Sequence, residues 1–178
     1  ERCLFLAKNG TRLNELTMDG LNPPGYLLFR PALHRALVRA AEGIEIHQGK
    51  ELKSMYQSHG QVHMTFTDNE KANFDWVIGA DGLRSKVRRQ IWGDKPPHYC
   101  GYTVWRGISD IPATSIGAGT VYDILGTRGH MMGFPTPQGT IGWSYGFRTP
   151  AASEEWHKDP LPVISKRLQG WAPFVQDW

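Results

Sequence analysis

Residues 75–88, Asp75-Trp76-Val77-Ile78-Gly79-Ala80-Asp81-Gly82-Leu83-Arg84-Ser85-Lys86-Val87-Arg88, constrain this chain more than any other segment. Trp76 to Ala80 run without a polar interruption, which predicts a strand covered on both faces. Asp81-Gly82 ends the run. Ser85 then stands where a helix cap belongs, with Val87 and Ile91 inside the helix and Arg84, Lys86, Arg88 and Arg89 around it. A carboxylate at the carboxyl end of a buried strand is where open α/β sheets bind ligands. Gly79 and Gly82 carry no side chain, so a bulky ligand has access to the backbone. The helix start offers N–H groups to a phosphate. The bland alternative is a plain Asp-Gly turn before a solvated basic helix. The length of the whole pattern favours a site.

The flanking segments extend the reading. Leu4 to Leu16 predict a hairpin about Asn9-Gly10, followed by a loop, Asn22-Pro23-Pro24-Gly25, and a short apolar stretch from Tyr26 to Phe29. Pro31 to Glu42 predict a helix, with Leu33, Leu37, Ala40 and Ala41 on one side and Gly43 closing it. Ile44 and Ile46 suggest a strand after that helix. Val62, Met64 and Phe66 alternate as a half-buried strand does, and Asp68-Asn69-Glu70 makes a turn. Beyond Pro96-Pro97, strand-like runs at 102–108, 120–125, 130–134 and 140–147 predict an antiparallel sheet. A short helix begins near Pro160.

Composition narrows the function classes. Twenty Lys and Arg against 17 Asp and Glu give a net charge of +3 in 178 residues, which makes nucleic acid an unexpected obligate partner. No apolar run reaches the ~20 residues of a membrane-spanning helix. Cys3 and Cys100 form neither a disulfide framework nor a C-x-x-C spacing, which suggests a reducing, cytoplasmic setting. The seven histidines show no H-x-x-x-H and no mixed Cys/His cluster, so no metal site is expected.

Gly79 to Arg88 matches G-A-D-G-x-x-S-x-V-R at every fixed position, and on it the chain resembles the FAD-dependent aromatic hydroxylases, the flavoprotein monooxygenase family of para-hydroxybenzoate and salicylate hydroxylases. Arg30 to Leu37 resembles the family's R-x-x-L-x-x-x-L helix. Tyr102 to Gly107 resembles its first substrate-domain strand, and Leu168 to Pro173 the helix before its last motif. The family's N-terminal G-x-G-x-x-G is not found; Gly117-Ala118-Gly119 lacks the third glycine. Its later G-D motif is expected beyond Trp178. The chain therefore reads as the central part of a longer hydroxylase, inactive alone and without tightly held FAD.

The resemblance implies a mixed α/β (α+β) fold, with part of a Rossmann-like FAD-binding domain and an antiparallel-sheet substrate domain. The divisions expected are 1–28 (substrate-domain hairpin and crossover), 29–96 (FAD-binding) and 97–178 (substrate-binding). It implies FAD as cofactor and NAD(P)H as co-substrate. Oxygen would be transferred from a flavin C4a-hydroperoxide to a phenolic or heteroaromatic ring. Arg30, Asp81 and Gly82 would bind FAD, with Asp81 also near the passing nicotinamide. Tyr122, Met132, Phe134 and Trp143 would wall the substrate ring, or else belong to ordinary sheet core. Arg106 would bind a carboxylate or serve the structure alone. No catalytic side chain is assigned. The partners implied are a small aromatic substrate and O₂, with no nucleic acid and no membrane, and a homodimer is left open.

Two other classes compete. Gly142-Trp143-Ser144-Tyr145-Gly146 matches G-x-S-x-G, the elbow of serine hydrolases, with His157 and Asp159 downstream. Ile141, Trp143, Tyr145 and Phe147 alternate straight through Ser144, however, as in an unbroken strand. A binding module is the other: Arg84, Lys86, Arg88 and Arg89 beside Trp92 could meet nucleic acid, and the tryptophans could stack on bases.

Overall fold

The computed structural model describes residues 1–20, 22, 28–150 and 159–178. The expected loop and apolar stretch across 23–27, and His157, lie outside the described residues. The chain divides into two compact units, one of residues 1–27 with 99–178 and one of residues 28–98.

The first unit is built on a six-stranded mixed sheet. Strands β1 (Arg2–Ala7) and β2 (Arg12–Thr17) form the hairpin foreseen about Asn9-Gly10. Strands β6 (Tyr102–Pro112), β7 (Thr120–Gly126), β8 (Gly129–Pro135) and β9 (Thr140–Arg148) supply the rest, with a 3-10 turn at Ala113–Ile116. The order is β2-β1-β7-β8-β9-β6. All pairs are antiparallel except β1 with β7, which run parallel. The sheet is therefore mixed where the sequence suggests antiparallel pairing throughout.

Period-two alternation splits this sheet into two faces. On one face Leu4, Leu6, Ile124, Met131, Tyr145 and Phe147 join Ile164, Leu168, Trp171 and Val175 in the core. The last four belong to helices α3 (Leu161–Arg167) and α4 (Pro173–Gln176) and the turn between them. The opposite face keeps Val104, Ile108 and Leu125 exposed, at 42%, 60% and 44%.

The second unit carries helix α1 (Arg30–Ala40), a three-stranded antiparallel sheet of β3 (Leu52–Ser58), β4 (Gln61–Phe66) and β5 (Lys71–Phe74), and helix α2 (Lys86–Trp92). Pro31 sits in the first turn of α1, where its missing N–H costs nothing. Two expected strands do not form. Residues 44–46 and 76–80 are extended or irregular but pair with no strand among the described residues. Trp76 is 88% exposed and Ile78 91% exposed. The physical reason is that an apolar run becomes a buried strand only where neighbouring strands complete its hydrogen-bond ladder.

Candidate functional site

Two places in the chain concentrate chemistry, one in each unit. The first is the join between segment 79–82 and α2. Ser85 caps the helix as expected, its Oγ accepting the Arg88 N–H at 2.9 Å. Asp81 does more than follow the apolar run. Its Oδ2 accepts the Lys86 N–H at 2.6 Å and the Val87 N–H at 3.2 Å, and its Oδ1 accepts the Ser85 hydroxyl. The Ser85 hydroxyl, more than any other contact, holds the Asp81 carboxyl below the ordinary carboxylate range, with the two backbone N–H groups assisting.

This corrects two expectations. The first three N–H groups of α2 are already bonded to Asp81 and Ser85, so they are not offered to a phosphate. Gly79 is not an opening for a ligand either, because a Cβ there would stand 2.7 Å from Val87 Cγ1. Its bareness lets the segment close on α2. Gly82 has open space around it: its φ is +76 and nothing lies within 4 Å of the place a Cβ would take.

Arg30 opens α1 and is exposed. A hollow of about 360 Å³ beside the same segment is lined by Lys50, Ala80, Asp81, Arg84 and Lys86 among others. Within it, Lys86 pairs with Glu51 at 2.6 Å. The other helix cations are also engaged: Arg89 meets Asp94 at 3.2 Å, and Arg88 Nη2 donates to the Leu83 carbonyl at 2.7 Å. With Lys86, Arg88 and Arg89 engaged locally, the patch leaves only Arg84 free among the described residues, which argues against the nucleic-acid reading.

The second place is the open face of the six-stranded sheet. Register puts Phe5, Asp123, Met132, Ser144 and Arg106 in one row across five strands. Phe134 lies over Gly142, where a Cβ would be 2.5 Å from its ring. Tyr102 lies over Gly146, where a Cβ would be 1.9 Å from its hydroxyl. Tyr102 also hydrogen-bonds His130 Nδ1 at 2.8 Å and lies near-parallel to its ring. Two aromatic walls thus stand on either side of Ser144. Asp123 Oδ1 is buried and, among the described residues, has no hydrogen-bond partner. Burial pushes the Asp123 carboxyl above its ordinary range, and His130 opposes that shift.

The four expected ring-wall residues do not share a face. Met132 and Phe134 are on the open face. Tyr122 and Trp143 point to the helix face, Tyr122 against Phe174 and Trp178, and Trp143 within the core. The four were grouped by residue type, and strand parity separates them.

Residues 10–97 match the family model described as an FAD binding domain. The chain is 31% identical over 187 residues to 3-amino-4-hydroxybenzoate 2-monooxygenase of Streptomyces cremeus, covering 94% of this chain and 46% of that one. It is 36% identical over 97 residues to 2,6-dihydroxypyridine 3-monooxygenase of Paenarthrobacter nicotinovorans, covering 51% of this chain and 24% of that one. The fold matches the crystal structure of Klebsiella pneumoniae HpxO complexed with FAD and uric acid, with a TM-score of 0.84 at 23% identity over 98% of this chain and 46% of that one.

The chain belongs to the FAD-dependent aromatic hydroxylase family.

It spans just under half the length of the first of these hydroxylase relatives. Membership in the aromatic hydroxylases sets aside the serine-hydrolase alternative, and geometry agrees. Ser144 is in the middle of β9, paired with Arg106 and Met132, with no strand-turn-helix elbow. Asp123 is a candidate site residue that the sequence reading does not single out. Its signal was present: Val121, Asp123 and Leu125 alternate on one face of β7, and a carboxylate between two apolar residues mid-strand is unusual.

Proposed function

We propose that the whole protein is an FAD-dependent, NAD(P)H-using monooxygenase that hydroxylates a phenolic or heteroaromatic ring. In this reading residues 28–98 contribute to the FAD-binding domain, and 1–27 with 99–178 to the substrate domain. The observation that carries it is the Gly79–Arg88 segment, folded about Asp81 within the stretch that matches the FAD binding domain.

The residues present fit the cofactor. Asp81 Oδ1 accepts only the Ser85 hydroxyl and keeps acceptor capacity for a ribityl hydroxyl. Gly82 presents bare backbone, and Arg30 and Arg84 are exposed cations with no partner among the described residues. Such a set suits a chain of hydroxyls ending in a pyrophosphate. Held there, FAD would supply the redox chemistry: acceptance of a hydride from NAD(P)H and activation of O₂. The protein's own part is to hold and orient. Asp81 fixes the start of α2 and keeps one lone pair for the cofactor. On the open sheet face, Phe134, Met132 and Tyr102 give a dry wall against which a flat ring can lie. Arg106, exposed at the end of the Asp123 row, is suited to an anionic substituent. The free thiols Cys3 and Cys100 fit a reducing compartment, in keeping with a cytoplasmic enzyme.

The full-length protein tests this directly. It should purify with FAD and show NAD(P)H oxidation stimulated by phenols or N-heteroaromatic acids, with one oxygen atom of ¹⁸O₂ entering the product. Asp81→Ala should lower both flavin affinity and the rate of NAD(P)H-driven reduction. Unchanged flavin content together with an unchanged reduction rate in that variant would remove Asp81 from the site.

A further inference from the structure

Resting on the proposed function, we infer that Asp123 is a specificity-determining residue whose half-buried carboxylate accepts a hydrogen bond from an N–H or O–H group of the aromatic substrate. Three observations on the open face converge on it. The first is the orphaned oxygen. Buried polar atoms are almost always paired. With Oδ1 enclosed and without a donor among the described residues, the half-buried carboxylate is underbonded, ready to take a donor on its accessible side. The nearby titratable groups supply none: Tyr102 bonds His130, and neither Cys3, Tyr102 nor His130 hydrogen-bonds the carboxylate among the described residues.

The second observation is the trough beside it. Asp123 neighbours Met132 in register, and Met132 neighbours Ser144. Phe134 and Tyr102 lie over Gly142 and Gly146, two residues either side of Ser144 along β9. Those two glycines are about 13 Å apart along the strand, which leaves room for one flat ring between the walls. A ring lying on Met132 there has its edge directed at Asp123, one strand spacing of about 4.8 Å away.

The third is the chemistry of the surroundings. Phe5, Met132 and Phe134 are apolar and offer no competing acceptor, while Asp123 is the only carboxylate in the row. A site that hydrogen-bonds a substrate donor rejects the analogue lacking it far more strongly than an apolar pocket does. Asp123 would therefore select donor-bearing rings over their alkylated counterparts. It touches substrate only through that bond, so its effect falls on binding and selectivity, with FAD retention left alone.

The experiment uses the full-length, FAD-loaded enzyme and reads ring binding by perturbation of the flavin spectrum. The probes are 2-, 3- and 4-hydroxybenzoate with their methyl ethers, and the three aminobenzoates with their N,N-dimethyl forms. The wild type should bind the donor-bearing member of at least one pair roughly tenfold tighter or more. In Asp123→Ala that ratio should fall below about threefold, with flavin content unchanged. Asp123→Asn, which keeps an acceptor oxygen, should retain part of the discrimination and guards against misfolding as the cause. A wild type that discriminates within no pair, or binds none of the probes, overturns the proposal. So does a ratio that survives in Asp123→Ala. A full-length protein without flavin overturns the proposed function as well, which separates the two failures.

Discussion

Asp123 carries a cost that folding alone would not select. Burial raises its carboxyl above its ordinary value, and one oxygen is enclosed and, among the described residues, without a donor. At pH well below that value the side chain is protonated in folded and unfolded chains alike. As pH rises, the unfolded chain ionises first while burial disfavours the charge in the fold. Stability present in acid is therefore lost as pH climbs through the raised folded value. Asp123→Asn removes that dependence. We expect the variant to be more stable than wild type near neutrality, with the gap narrowing towards acid, as followed by denaturant unfolding across pH. A gap that widens in acid would mean the carboxylate is satisfied. The same residue shows what residue type alone hides. Tyr122 and Trp143 look like ring-binding residues by composition, yet parity turns them into the core. Met132 and Phe134, chosen on the same grounds, fall on the open face because on β8 they alternate with Met131, which faces the core. Parity was legible in the sequence; which parity meets the helices was not, because that depends on contacts with α3 and α4 across the fold.

Among the elements, α2 was the best foreseen. Ser85 as cap followed from its place before the helical run, and the structure has its Oγ on the Arg88 N–H. Asp81 as a second cap partner was not foreseen, since an Asp four residues ahead of the cap reaches back only because Gly82 turns the chain with φ +76. Ser85→Ala should cost about 1 kcal/mol of stability in this unit, read as a lower unfolding midpoint and weaker helical circular dichroism. Asp81→Asn weakens the same helix start in the opposite pH window. Its folded carboxyl is depressed, so its contribution is present above the ordinary carboxylate range and lost as pH falls through the lowered value. The strands expected at 44–46 and 76–80 failed for one shared reason. Apolar character shows what a segment would bury, whereas a strand also needs a neighbour for its backbone, and a single segment carries no information about that neighbour.

At the scale of the whole sheet, the two sides of one slab of strands differ in what covers them. The parallel pairing of β1 with β7 joins residues more than a hundred positions apart, and no local pattern announces it. It places the N-terminal hairpin beside Asp123 and lets Leu4 and Leu6 complete the core around Ile124. The helix side holds the unit together, and the open side keeps apolar surface uncovered. Substitutions on the two sides should therefore separate stability from ring binding. Ile124→Ala, at a fully enclosed position, should destabilise the unit by about 2–5 kcal/mol, since it removes contacts that nothing can refill. Ile108→Ser, on the exposed side, should shift stability by no more than about 0.5 kcal/mol. It sits beside Gly142 in register, next to the Phe134 wall, so it should weaken aromatic ligand binding to the full-length enzyme. Thermal unfolding and flavin-detected ligand titration, run on both variants, decide the matter. If Ile108→Ser destabilises as much as Ile124→Ala and leaves ring binding intact, the open face is core that another segment covers, and the ring must be bound elsewhere.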